Sequence, residues 1–191
     1  MQDFTNTTLF PNFSTIPKQD QDAVSPPAPS PPGERWYLLA EVKDNMTIVK
    51  PTLILTDCNG SPFALVFEGL GPDGLDFKGL GFKKGSTVVI PNAVRITPAD
   101  KMKRGFVSIE KGGAADVRAV ACNLARVLEL GGKVKGQECE TCGRDGGNGL
   151  KSCTGCERAG YCSKECQVKG WTEGGHKSDC KVLKTLNDIF R

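Results

Sequence analysis

Between residues 35 and 111 the apolar positions come in short runs of β-branched, aromatic and leucine residues rather than in helical stripes. Polar and glycine-rich segments separate five such runs, at residues 36–42, 52–56, 63–67, 86–90 and 106–110. Asn59-Gly60 lies between the second and third runs, and this dipeptide is typical of a tight hairpin turn. The pattern predicts a small five-stranded, barrel-like sheet.

One helical stripe follows the predicted strands. In residues 114–130 the apolar side chains recur at spacings of three and four, and charged side chains occupy the other faces. The stripe consists of Val117, Val120, Ala121, Leu124, Val127 and Leu128. Gly131-Gly132 supplies a stop signal, so we expect an amphipathic helix over 114–130 that packs on the sheet.

The strand-forming segments TDCNGSPFALVF, FKKGSTVVIPNAVRI and GFVSIEKG resemble strands of an OB-fold. This resemblance implies an OB-like domain over residues 34–132, with the helix 114–130 included. The fold class expected for the chain is therefore α+β.

The first 33 residues lack a periodic apolar pattern and end in a proline-rich stretch, SPPAPSPPG, at residues 25–33. Such a composition favours extended polyproline II backbone over a packed core. We therefore expect residues 1–33 to be a disordered tail. This region also lacks the charged start and apolar stretch of a secretory signal, and no apolar run in the chain approaches ~18 residues, so no membrane association is expected.

The cysteine content changes the picture more than the overall composition does. The chain of 191 residues holds nine cysteines and one histidine. Residues 139–180 read C-x2-C-x10-C-x2-C-x5-C-x3-C-x9-H-x3-C, which is eight soft or borderline ligands, enough for two tetrahedral zinc sites. A redox C-x-x-C pair would need a strand before it and a helix after it, and a disulfide framework would need secretion; neither setting is indicated. Cys58 and Cys122 lie outside the pattern and are expected in or near the core.

This spacing, together with Tyr161-Cys162, Cys166-Gln167, Trp171 and His176-Lys177, resembles the MYND-type zinc finger. The resemblance implies a small treble-loop finger with short helices over 139–180, followed by a C-terminal helix at 181–191. It also implies two interleaved zinc sites. One would use Cys139, Cys142, Cys162 and Cys166, and the other Cys153, Cys156, His176 and Cys180.

MYND fingers are protein-interaction modules, so the resemblance implies a non-enzymatic adaptor, with transcriptional regulation as a candidate process. Family members bind proline-rich peptides, and the family's glutamine and tryptophan positions are Gln167 and Trp171 here. An indole can stack on proline rings, and an amide can bond the exposed peptide backbone. The alternative for Trp171 is a core aromatic that braces the finger.

Single-stranded nucleic-acid binding by the OB-like domain is the alternative function. Lysines and arginine alternate with phenylalanines in two clusters: Phe77, Lys78, Phe82, Lys83 and Lys84; and Lys101, Lys103, Arg104 and Phe106. The formal net charge of +3 argues against a strongly basic binder, because seven zinc-bound thiolates and two Zn²⁺ ions would bring it to zero (3 − 7 + 4). The alternative interpretation of these two clusters is that their phenylalanines are core residues and their lysines form a solvated rim.

An enzymatic role is not expected. The lone histidine is assigned to zinc, and every coordination position would be filled by protein, which leaves none for an activated water. Some lysine methyltransferases carry a MYND finger within a SET domain, but the Asn-His and Gly-Glu-Glu-type motifs of that catalytic domain are absent from this sequence. A zinc protein with free thiols is expected in the nucleus or cytoplasm.

Overall fold

The structure, a computed structural model, describes residues 3–20, 35–100, 102–132, 138–146 and 149–190. It divides into two compact units, residues 4–125 and residues 126–191 with the first three residues. The first unit is built on an eight-stranded sheet. Its strands are β1 (Lys18–Asp20), β2 (Tyr37–Asn45), β3 (Thr52–Asp57), β4 (Pro62–Phe67), β5 (Thr87–Pro91), β6 (Arg95–Thr97), β7 (Phe106–Ile109) and β8 (Arg118–Val120).

The strand order across this sheet is β1-β6-β7-β4-β3-β2-β5-β8. The pairs β1–β6 and β4–β7 are parallel, and the other neighbours are antiparallel. All five predicted runs form strands, and the mixed α+β class is confirmed. The prediction of a five-stranded barrel was wrong, because β1, β6 and β8 extend the sheet and its two edge strands do not pair with each other in the described part of the chain. The OB-like fold is not confirmed.

Alternating burial shows which face of the sheet carries the core. In β3 and β4 every second side chain is buried, as expected for a sheet with one covered face. The inward side chains include Leu53, Leu55, Leu65 and Phe67, all fully buried. Phe67 also packs against the rings of two loop phenylalanines, Phe77 and Phe82, which belong to the same core.

The N-terminal segment differs from the predicted tail over residues 3–20, which pack against the sheet. Phe13 and Ile16 belong to the buried core, and β1 then adds a parallel strand beside β6. The Phe13 backbone N–H donates to the buried carboxylate of Asp57 at 2.8 Å, and the Phe13 ring stacks on Phe63 with centroids 4.4 Å apart. The proline-rich stretch 25–33 lies outside the described residues.

Replacing Phe13 with alanine should destabilise the sheet unit by about 3 kcal/mol, because the change deletes a buried ring and leaves a cavity against Phe63. Hydrogen exchange of the β3 and β4 amides should then accelerate by about 100-fold. Met102→Ala is the matched control, since Met102 is 93 % exposed. Equal exchange rates in the two variants would mean that the N-terminal segment does not support the core.

The helix predicted over 114–130 was wrong in its first half. Residues Lys111–Asp116 form a 3-10 helix, β8 pairs with β5, and α1 begins only at Leu124 and runs to Gly132. Val120 is fully buried in β8, and a β-branched residue such as valine is favourable in a strand. The Glu41 carboxylate accepts from the Leu124 N–H at 3.2 Å, which satisfies a free amide at the helix start.

The second unit holds most of α1, the short antiparallel pair β9 (Lys151–Ser152) and β10 (Gly160–Tyr161), and the helices α2 (Lys164–Thr172) and α3 (His176–Ile189). One of the short helices expected in the finger is α2, whose N-cap Ser163 accepts from the Cys166 N–H at 3.2 Å. The predicted C-terminal helix 181–191 begins earlier, at His176, after Gly175 in the left-handed region (φ 73°). None of the helices among the described residues is long and apolar enough to cross a bilayer.

Candidate metal centre

Four cysteines from two separate stretches of the finger form the first cluster. The sulfurs of Cys139, Cys142, Cys162 and Cys166 lie within 4.8 Å of one another. The turn that holds the first two is closed by the Gly143 N–H, which donates to the Cys139 carbonyl at 2.9 Å. Cys162 follows β10, and Cys166 lies in the first turn of α2. The sulfur of Cys162 is 3.6 Å from that of Cys142 and 3.5 Å from that of Cys166.

The second cluster is entirely buried. Its ligand atoms, from Cys153, Cys156, His176 and Cys180, also lie within 4.8 Å of one another. The last two belong to α3, one turn apart, so their side chains share a helix face. The sulfurs of Cys153 and Cys180 are 3.8 Å apart, and the Cys156 sulfur is 3.8 Å from His176 Nε2.

These distances and donors fit zinc. A tetrahedral ion with Zn–S bonds of about 2.3 Å places neighbouring sulfurs roughly 3.8 Å apart, close to the observed 3.5 to 3.8 Å. The two clusters group the eight ligands in the interleaved way that the family resemblance implies. Each cluster draws its ligands from two separate stretches of the finger, so the sites hold those stretches together.

Ionisation within the first cluster is unequal. Burial opposes ionisation of Cys139, but backbone N–H groups of Cys162, Cys142 and Thr141 outweigh it and bring the pKa to about 6. The neighbouring thiols of Cys166, Cys142 and Cys139 raise the pKa of Cys162 to about 12. Packed thiols therefore do not all ionise alone, and a bound divalent cation would supply the positive charge that favours loss of the remaining protons.

The second cluster shows the same division. Burial opposes ionisation of Cys153, yet the His176 side chain and the backbone N–H groups of Cys156 and Gly155 lower its pKa to about 6. Burial, followed by the Cys153 thiol, raises the pKa of Cys180 to about 12. This donor set also matches a metal that displaces protons on binding.

A polar network that the sequence did not reveal supports the second cluster from α3. The Asn187 side-chain amide donates to the Cys156 carbonyl at 2.7 Å, and Arg158 Nε donates to Asn187 Oδ1 at 2.6 Å. Burial lowers the pKa of Arg158. The network ties the Cys153–Cys156 turn to α3. The one available signal was that Asn187 falls one helical turn after Leu183 on the buried side of the helix.

The predicted peptide-contact residues lie one turn apart on α2. Gln167 is half-buried and Trp171 is 41 % exposed, and the Trp171 ring meets His176 edge-on with centroids 5.9 Å apart. Trp171 therefore has one edge in the finger and one face open to solvent. The structure brings both residues to one face of the helix that also carries Cys166.

The residues considered for nucleic-acid stacking are placed differently. Phe77 and Phe82 are buried in the sheet core, which leaves no ring face for a base, and Phe106 is half-buried. The basic residues of both clusters that the structure describes, namely Lys78, Lys83, Lys84, Lys103 and Arg104, are exposed, and Lys101 lies outside the described residues. The structure thus favours the interpretation in which the phenylalanines are core residues and the basic side chains are solvated at the surface. Cys122 is half-buried as expected, but Cys58 is exposed at its turn.

The similarity to known proteins described next lies in the finger. Residues 139–180 match the family model of the MYND finger. Among curated proteins, SET domain-containing protein 14 of Caenorhabditis elegans is 48 % identical over 40 residues, which are 21 % of this chain and 9 % of that protein. The chain thus spans less than a tenth of the length of this relative. The segment of residues 139–180, with its two ligand clusters, is identified as a MYND finger.

Proposed function

We propose that this protein is a non-enzymatic adaptor whose zinc-loaded MYND finger recruits a partner through a proline-rich peptide. The observation that carries this proposal is the position of Trp171, 41 % exposed and one turn from Gln167 on a helix anchored by a metal ligand. A large aromatic surface on a rigid element is a common binding hot spot.

Two zinc ions would be held by the two clusters, and their chemistry there is structural. Each cluster already offers four protein donors, which completes a tetrahedral shell. The ions would order the segments between the ligands, and α2 would present Trp171 at a fixed orientation. The same ligand count supports a non-enzymatic role, and thiolate ligands suit the reducing environment of the nucleus or cytoplasm.

The peptide chemistry follows from the two side chains. Proline rings in a preformed polyproline II helix lose little entropy on binding and stack against a flat indole. Gln167 can donate to a peptide carbonyl and accept from a peptide N–H, since its amide carries both groups. A proline-rich segment is therefore the expected class of ligand.

Trp171→Ala should weaken binding of such a peptide by about 30-fold, the loss expected for a tryptophan hot spot, while both zinc ions remain bound. Isothermal titration gives the affinity, and native mass spectrometry gives the metal content. Val168→Ala is the matched control, because Val168 is 53 % exposed on the same helix. The proposal would be refuted if Trp171→Ala bound the peptide with full affinity. It would also be refuted if the wild-type protein bound the proline-rich peptide no more tightly than the same peptide with its prolines changed to alanine.

A further inference from the structure

A polar cavity of about 300 Å³ lies within the second unit on a different flank of α2 from Trp171. Its walls come from α1, from the turn of the first cluster, from β10, and from the ends of α2 and α3. Gly170 and Glu173 border it, about 100° around the helix from the Gln167–Trp171 face. It is thus separate from the surface assigned to the proline-rich peptide.

The Tyr161 hydroxyl points to a ligand for this cavity. Tyr161 lines the cavity and is only 1 % exposed, yet its hydroxyl has no hydrogen-bond partner in the described structure. Buried hydroxyls are normally paired, because an unpaired one loses its hydration without compensation. The buried Tyr161 hydroxyl beside this cavity is therefore a polar group without a protein partner among the described residues.

Gly170 lets α2 pack closely against Tyr161. A Cβ at this position would lie 2.8 Å from Thr141 Oγ1, 2.8 Å from Tyr161 Cε1 and 3.2 Å from the Tyr161 hydroxyl oxygen. Any side chain here would push into the tyrosine edge that faces the cavity. The absence of a side chain at Gly170 is thus what allows α2 to approach the ring so closely.

Acidic groups outnumber basic ones around the cavity. Three carboxylates (Glu140, Glu173, Asp179) and two cations (Arg126, Lys169) line it. Arg126 is already engaged, with two hydrogen bonds to Asp179 and an ion pair to Glu129 at 2.6 Å. The charge that faces the cavity is therefore negative on balance, which disfavours an anionic ligand.

We propose that this cavity binds the guanidinium group of an arginine side chain from a partner protein. A guanidinium has five N–H donors in a planar fork, so it can bond acceptors on separate segments, here the Glu173 carboxylate and the Tyr161 hydroxyl oxygen. An ammonium concentrates its donors at one point, which suits such divergent acceptors less well. The cavity rim already contains one guanidinium–carboxylate pair of this kind, Arg126 with Asp179.

This inference extends the proposed function, since it gives the finger a second contact on the same partner or a different one. Its test is independent of the proline-rich peptide. The probes are N-acetyl-argininamide and N-acetyl-citrullinamide, which share one shape but differ in charge. They are titrated into the full-length, zinc-loaded protein while backbone amide signals are followed by NMR.

We expect the arginine amide to shift the amide signals of Tyr161, Gly170 and Gly174 and to bind at least tenfold more tightly than the citrulline amide. Equal affinities, or no shift at these signals with either probe, would overturn the proposal. Trp171→Ala should leave this affinity unchanged, so failure of the peptide proposal and failure of this one are distinguishable.

Variants of the cavity wall should move the affinity in opposite directions. Tyr161→Phe removes only the unpaired hydroxyl and should weaken argininamide binding about threefold, and Glu173→Gln about tenfold. Lys169→Gln removes a competing cation and should tighten it about threefold. If these residues only stabilised the fold, their substitution would not weaken argininamide binding in some variants and tighten it in another. Glu165→Gln, on the same helix but outside the cavity lining, is the control for nonspecific charge effects.

Discussion

Removal of both zinc ions is expected to unfold residues 139–180 and to leave the eight-stranded sheet folded. The finger has little apolar interior apart from the ligand clusters and the α3 side chains that pack nearby. Structural zinc contributes on the order of 10 kcal/mol of apparent free energy per site, which exceeds what so few buried side chains supply. The sheet unit has its own core of buried leucine, valine and phenylalanine residues and has no share in either cluster.

Amide NMR spectra recorded during chelation provide the measurement. Signals from 139–180 should collapse to the narrow range of an unfolded chain, while those of β3 and β4 keep their dispersion and act as the internal control. Restoring zinc should restore the finger signals. A dispersed finger spectrum in protein shown by mass to be free of zinc would contradict the expectation.

Replacement of the buried ligand Cys156 by serine should release one of the two zinc ions. The change removes a thiolate from the cluster that contains His176, while all four cysteines of the other cluster stay in place. The ion that remains should therefore have four sulfur ligands, and the His176 imidazole should lose its metal. Loss of a ligand from a filled tetrahedral shell leaves an open site, so affinity at the damaged cluster should fall by several orders of magnitude.

Native mass spectrometry counts the ions, and the His176 ring-nitrogen chemical shifts report whether its Nε2 is bound to metal. Cys58→Ser is the matched control, since Cys58 is exposed and outside both clusters, and it should keep two ions. Retention of a metal-bound His176 in Cys156→Ser would show that the ligands pair sequentially rather than in the interleaved way.

The ligand clusters were predictable from the sequence because metal coordination imposes strict limits on residue type and spacing. Soft ligands at C-x2-C and C-x3-C intervals have few other uses in a region where the sequence predicts no strands, and the single histidine is in register with them. The family resemblance then supplied the pairing, which spacing alone left open. The structure places the same eight residues together.

Elements that depend on distant partners were harder to predict. Phe10, Phe13 and Ile16 have a spacing of three in an otherwise polar segment, and only contact with the sheet gives that spacing meaning. Strands β1, β6 and β8 have three residues each, too short for an alternating pattern to stand out. Val117 and Val120 satisfied the helical period, but pairing with β5 made Arg118–Val120 a strand.

The interleaved ligand order also sets the sequence of events as the finger leaves the ribosome. Cys139 and Cys142 emerge first and wait for Cys166 to complete their shell, and in that interval Cys153, Cys156 and Cys162 also emerge. Five free thiols of the finger are thus exposed together on a nascent chain, where oxidation or a wrongly shared ion would trap them. Translation through the residues before Cys166 is consequently the period in which this protein depends most on a reducing environment and on the prompt delivery of metal.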